Sequence, residues 1–200
     1  MGKTITIKLP DDPKGKSYED FIASYLQAGG YFVERNIIDR GVTEVLELDI
    51  IITDFEAKYP DPVLIEIKSG KWGFGDIFKI RGWLDYTVFD SGVLIVKQNK
   101  DHLKFICEKA KEIGVKVILN DDLNKTIDSL ADFIDGGRID SNDVKTFQYS
   151  YWLERNLLTY LNQKKKTNKG IKCFQALEKY YFKISSEIFL SKNLLDRIKI

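Results

Sequence analysis

A chain of 200 residues, 44% hydrophobic and 12% aromatic, is long enough for one domain with a full core, or one domain with an appendage. Its net charge of +1 excludes attraction of nucleic acid by overall charge, so any basic surface must be local. Cys107 and Cys173 lie too far apart for a metal-ligand spacing and are expected as reduced core thiols; with one histidine, His102, at the start of a helix, histidine-based catalysis is nearly excluded.

The N-terminal segment has no apolar signal core, and the longest apolar runs fall well short of the ~20 residues that a membrane span needs. A cytoplasmic protein with no membrane partner is expected. Thr4–Leu9 alternates as a short strand that stops at Pro10. Ser17 is placed to cap a helix, with Asp20 at its third position and Tyr18, Phe21, Ile22, Tyr25 and Leu26 as its apolar stripe; Gly29-Gly30 ends it. Tyr31–Ile38 reads as a strand, and Arg40–Val42 turns into the central hairpin.

That hairpin comprises two apolar runs, Val45–Ile52 and Val63–Ile67, each with charged residues in its middle. Alternation along a strand puts Glu47 and Asp49 on one face, with Leu46, Leu48 and Ile50 on the other. Glu66 and Lys68 share a face in the second run. Pairing of the runs would set Asp49 and Glu66 on one side of the sheet. Unpaired charges buried on such strands cost several kcal/mol each, on the order of the usual figures. A bound divalent cation would account for them. Magnesium is held by one or two carboxylates plus substrate phosphate oxygens, so Asp49 and Glu66 are candidate ligands, with the Ile67 carbonyl as a third. Lys68 is placed to act on an attacking water, either as an ammonium or as a deprotonated base.

After the hairpin the order is β-α-β-α-β. A glycine-rich connection, Ser69–Gly75, leads to a helix from Asp76 to Phe89 with Ile77, Ile80, Leu84 and Val88 inward, ended by Ser91-Gly92. Val93–Lys97 is a strand. Asp101 caps a helix to Ile113 with Phe105, Ile106, Ala110 and Ile113 inward, and Val115–Leu119 is the next strand. This alternation implies parallel strands, hence an α/β fold with a mixed sheet flanked by helices. Asp122–Ile134 reads as a last helix on this body. Asp135–Gly137 is the expected boundary between a domain over 1–135 and a helical region over 136–200, with helices at Asn142–Gln163 and Ile171–Ile200. The glycine-rich connection lacks the Lys-Ser/Thr ending of a nucleotide-binding phosphate loop. Lys71 and Trp72 within it are candidates to touch a nucleic-acid backbone or stack on a base.

Asp49, sixteen intervening residues, then Glu66-Ile67-Lys68, each inside an apolar strand, resembles the active-site pattern of the PD-(D/E)xK nuclease superfamily, which has the restriction-endonuclease-like fold. The helix S-Y-E-D-F-I-A-S-Y-L-Q-A-G-G-Y resembles the opening helix of its Mrr-like and Holliday-junction-resolvase-like members. The order of elements matches the family core over about residues 17–98. Phe74–Leu119 is similar in general outline to CRISPR ancillary nucleases. The resemblance implies a metal-dependent endonuclease that hydrolyses phosphodiester bonds through a magnesium-activated water, with manganese able to substitute. DNA rather than RNA is the implied substrate, and a 5′-phosphate the implied product. Glu19 becomes the first-helix acid, a ligand through water, completing a catalytic set of Glu19, Asp49, Glu66 and Lys68. Lys79 and Arg81 fall where the family places a basic or amide residue facing the site, so Lys79 joins the nucleic-acid contacts. Leu48 stands where the family often has proline, and no glutamine follows the E-x-K triplet.

Two other readings compete. A catalytically silent nucleic-acid-binding subunit on the same fold would bind without cutting. A module gated by a partner or ligand would cut only when that partner is supplied. The lysines from Lys164 to Lys172 are a solvated loop or a phosphate-contacting patch. The Ile171–Ile200 helix, with Phe174, Leu177, Tyr181, Ile184, Ile188 and Leu195 at helical spacing, is expected to pack against a second subunit, giving a homodimer.

Overall fold

The structure, a computed structural model, describes residues 8–40, 44–87 and 89–164. Two compact units divide the chain, Met1–Trp152 and Leu153–Ile200. The first holds α1 (Lys16–Ala28), β1 (Phe32–Arg40), β2 (Glu44–Thr53), β3 (Pro62–Lys68), α2 (Phe74–Thr87), β4 (Ser91–Val96), α3 (Leu103–Glu112), β5 (Val115–Leu119) and a short α4 (Thr126–Ser129). It also holds the first half of α5 (Ser141–Lys164); Asp135–Gly137 is a turn into a single 3-10 turn within it. The strand expected over Thr4–Leu9 falls largely outside the described residues, and its described end, Lys8-Leu9, is not strand. The Ile171–Ile200 helix, Val88, and the side chains of the lysine run from Lys164 also lie outside them.

Among the described residues the strands form one five-stranded sheet in the order β1-β2-β3-β4-β5. β1, β2 and β3 are antiparallel neighbours; β3, β4 and β5 run parallel. The mixed α/β sheet flanked by helices is therefore as the sequence pattern requires. Each face buries its own core. α1 and the segment around Leu130 and Ile134 cover one face, where Tyr18, Ile22 and Leu26 meet Ile50, Ile52, Ile65, Ile67, Val93 and Ile95. α2 and α3 cover the other, where Ile77, Ile80, Leu84 and Ile106 meet Leu46, Leu48, Ile51, Leu64 and Leu94. The parallel strands are buried on both sides, which is why Val93–Val96 is an unbroken apolar run.

One departure from regular alternation decides the site. Leu46 and Leu48 pack toward α2, yet Ile50 packs toward α1, followed by Ile51 and Ile52 on alternate faces. Strict alternation would keep 46, 48 and 50 together. The strand changes phase at Asp49, so the expected shared face of Leu46, Leu48 and Ile50 does not hold. Opposite it on β1, Asn36 has φ 52, the left-handed region where asparagine is tolerated.

Several element ends differ from the sequence reading for local reasons. α1 is entered through Gly15, at φ 51 and ψ −135, so the helix starts at Lys16 and Ser17 lies inside its first turn. α3 starts from His102, in left-handed geometry, and Asp101 is not its cap. Ser91 and Gly92 begin β4 instead of ending α2. Phe105 is exposed, on the solvent side of α3. Asp122–Ile134 is not one helix. The Asp122 carboxylate accepts the Asn124 amide and starts a 3-10 turn, and the buried Thr126 hydroxyl bonds Leu123 O and Asn120 Oδ1. The chain bends so that Leu130 and Ile134 reach the core beneath α1.

Candidate active site

The β2–β3 ladder runs from Thr53 opposite Pro62 to Ile50 opposite Ile65 and stops there. Continuing its register would set Asp49 opposite Glu66. Instead the Ile67 amide donates to Asp49 Oδ2 at 2.9 Å, so a side chain takes the hydrogen bond that a strand carbonyl would take. The strands open at this point, and Asp49 stands in the opening.

Glu66 is on the α2 side, because Ile65 and Ile67 pack on the α1 side. It is 1% exposed, and its Oε1 accepts from Lys68 Nζ at 2.6 Å and from Lys79 Nζ at 3.1 Å. Its Oε2 is buried with no hydrogen-bond partner. The two carboxylates are thus brought together at the strand opening, close enough for the Glu66 charge to act on Asp49. Lys68 also lies 3.7 Å from Asp76 Oδ1, and Asp76 Oδ2 accepts the Gly73 amide at the start of α2. That half of a capping box fixes α2 against the end of β3.

α1 closes the site from the other side. The Gly15 amide donates to Ser69 Oγ at 2.8 Å, tying the helix entrance to the residue after Lys68. The first turn of α1 therefore overlies the carboxylates. Lys16 Nζ lies 3.1 Å from Glu19 Oε2 and 3.2 Å from Glu47 Oε1. Glu47 is exposed and held by that lysine.

The electrostatics follow from this crowding. Asp49 is pushed up to about 7 from 3.8, by burial first, then by the charges of Glu66 and Glu19, against the Ile67 amide and Lys16. Glu19 is raised by burial and by Asp20 and Glu66, with Lys16 opposing. Burial pulls the Lys68 ammonium down, but its bond to Glu66 and the charges of Glu66, Asp49 and Asp76 outweigh this and the net shift is upward. Of the two roles open to Lys68, the cationic one fits its surroundings.

The structure thus brings Glu19, Asp49, Glu66 and Lys68 into one electrostatic neighbourhood, with Ile67 contributing its N–H. Among the described residues, no three histidine, cysteine, aspartate or glutamate side chains gather closely enough to hold a metal ion on their own. Lys71 is exposed beside the site. Trp72 is not available to a base: it is 4% exposed, packs with Ile77 and Ile80, and its Nε1 donates to Gln98 O at 2.7 Å. Lys79 belongs to the carboxylate cluster itself, with its ammonium 4.0 Å above the Trp83 ring. Lys16 and Asp76 were missed from the sequence. Lys16 stands three residues before Glu19, the spacing of a helical ion pair, and Asp76 three after Gly73, the spacing of a cap. A cavity of about 580 Å³ elsewhere, lined by Ser91–Val93 and Val115–Val117, shares none of these groups.

No family model matches the chain, and no curated protein matches it. Among solved structures it is similar to Can2 from Sulfobacillus thermosulfidooxidans in complex with cyclic tetra-adenylate, at TM-score 0.44 and 14% identity. That similarity covers 58% of this chain and 36% of Can2. It is also similar to AF1548, a protein of unknown function, at TM-score 0.42 and 14% identity, over 52% of this chain and 57% of that one. The chain therefore spans less than two thirds of either. Among the described residues, no helix is long and apolar enough to cross a membrane.

Proposed function

We propose that this chain is a metal-dependent nuclease of the restriction-endonuclease-like kind, hydrolysing phosphodiester bonds in DNA. The observation that carries the reading is the pair of desolvated carboxylates at the opened ends of β2 and β3, with Glu66 Oε2 buried and unpartnered beside a lysine ammonium. A buried carboxylate oxygen without a partner needs a reason, and a divalent cation held by Asp49 and Glu66 is one that fits the chemistry of this donor set. When bound, such an ion would supply Lewis-acid activation of water and of a phosphoryl oxygen. The residues themselves do the rest. Lys68 holds a proton and presents positive charge where the phosphoryl group gains negative charge. The Ile67 amide holds Asp49 in the opening, and Lys16 and Glu19 cover it from α1. Water adds to phosphorus, the bond to the 3′ oxygen breaks, and a 5′-phosphate and a 3′-hydroxyl result.

One observation favours the silent or gated alternative: Lys68 and Lys79 both bond Glu66 Oε1, so the carboxylate is already neutralised. The readings separate in one experiment. Labelled single- and double-stranded DNA is incubated with the wild type, Asp49→Asn and Lys68→Ala in magnesium, manganese or EDTA. Metal-dependent cutting lost in both variants supports the nuclease. Binding without cutting by the wild type in either metal supports the silent or gated subunit.

A further inference from the structure

We propose that the exposed face of α2 is the path of an unpaired DNA strand, with Phe74 and Phe78 taking its bases and lysines at the helix entrance taking its phosphates. The inference rests on the nuclease reading and names its substrate class as single-stranded DNA.

Phe74 and Phe78 are one helical turn apart and 37% and 59% exposed, with ring centroids 6.1 Å apart and planes within 30°. They form a near-parallel aromatic ledge in solvent, at the turn of α2 that joins the carboxylate site. Asp76, between them in sequence, reaches Lys68, and Lys79, next to Phe78, reaches Glu66. Two cations stand at the helix entrance. Lys71 is exposed in the entering loop, and Lys100 Nζ lies 3.5 Å from where a side chain on Gly73 would begin. The acids nearby are engaged: Asp76 by the Gly73 amide, Asp85 by Arg81. Gly75 and Gly82 have open space where a Cβ would stand, so nothing within the fold demands glycine there. Both leave the helix backbone approachable, as a flat base or a sugar-phosphate chain requires.

Aromatic rings beside a positive groove are the means by which single strands are held without sequence preference, since every base has a face to stack. Bases stacked within a duplex have no face to offer the ledge. A second copy of the chain is a poorer occupant. The same lysines would meet across a symmetric contact, and Tyr86, further along the helix, already donates its hydroxyl to Asp39 at 2.7 Å.

The test is fluorescence anisotropy of labelled oligo(dT) and of a duplex of equal length, titrated with the full chain in EDTA. Wild type is compared with Phe74→Ala, Phe78→Ala and the double variant, with Phe105→Ala on α3 as an exposed-aromatic control. The single strand should bind more tightly than the duplex. The double variant should lose about 5- to 100-fold affinity for it, and less than about twofold for the duplex, with an unchanged circular dichroism spectrum. Equal loss on both forms, or no loss, overturns the inference. A wild-type dimer that the double variant turns into a monomer by sedimentation overturns it in favour of a second copy. If the variants still cut single strands as the wild type does, only this inference fails. If the wild type neither binds nor cuts DNA in any metal, the nuclease reading fails with it.

Discussion

Replacing Asp49 by asparagine should stabilise the metal-free protein at neutral and higher pH while removing activity. The carboxyl is held at about 7 against 3.8, a rise of roughly 4 kcal/mol at ~1.4 kcal/mol for each tenfold change in proton affinity. Because the folded value is the higher one, the favourable contribution is complete below pH 3.8 and is lost as the pH climbs through about 7. Between pH 5 and pH 8 the wild type should lose about 2–3 kcal/mol that the variant does not, as an upper bound, since the neighbouring Glu19 carboxyl is raised as well. Asparagine keeps an oxygen to accept the Ile67 amide, so the substitution removes charge without breaking that bond. Urea unfolding in EDTA at pH 5 and pH 8, followed by tryptophan fluorescence, reads the difference. A variant no more stable than the wild type at pH 8, with the same pH slope, would refute the claim that Asp49 is a desolvated carboxylate in electrostatic conflict with its neighbours.

The other predictions concern the groups around it. Magnesium should raise the melting temperature of the wild type at pH 8 and leave Asp49→Asn unmoved, by the linkage of a ligand that binds only the folded state; equal shifts in both would place the ion elsewhere. Lys68→Ala should lower the cleavage rate about 10²- to 10³-fold, the usual loss for one preorganised group facing developing charge, as read in single-turnover assays. Arg35→Met removes the 2.8 Å pair with Asp20 and the 3.6 Å stacking on Tyr151, and should cost about 3–5 kcal/mol in urea unfolding, the usual loss when one side of a buried ion pair is removed. Gly82→Ala, in a helix with open space at its Cβ, should raise stability by about 0.5–1 kcal/mol, seen as a higher melting temperature.

The charged pattern was legible because apolar strands do not carry acids without cause: Asp49, Glu66 and Lys68 stand out in the sequence and come together in the fold. β5 spans Val115–Leu119 as its periodicity indicates, and among the described residues α1, α2 and α3 bury or half-bury the apolar positions that define them, save Phe105. The phase change at Asp49 was not legible. Leucine and isoleucine fill both faces of β2, so either phase satisfies the pattern. Trp72 reads as exposed among glycines and lysines, yet the Gln98 carbonyl and the α2 core claim it. The bends of Asp122–Ile134 come from the short-range bonds of Asp122 and Thr126 and from Leu130 and Ile134 reaching the core, which together outweigh the helical pattern.

The opening between β2 and β3 ties these observations together. A regular ladder would have kept Asp49 opposite Glu66, on one face, with each backbone group paired along the strand. The phase change instead frees the Ile67 amide and turns Asp49 into its acceptor, while Glu66, in the regular alternation of β3, faces Lys68 and Lys79. The opening is where helices on both sides of the sheet can reach one place. α1 does so through Lys16 and Glu19, held by Gly15 on Ser69, and α2 through Asp76 and Lys79. The same geometry creates the instability, because Asp49 is buried beside the charges of Glu66 and Glu19. A fold that only needed to be stable would fill this opening with apolar side chains, as it does one residue pair away at Ile50 and Ile65. Keeping acids there, against their own repulsion, is what the proposed cation site would require.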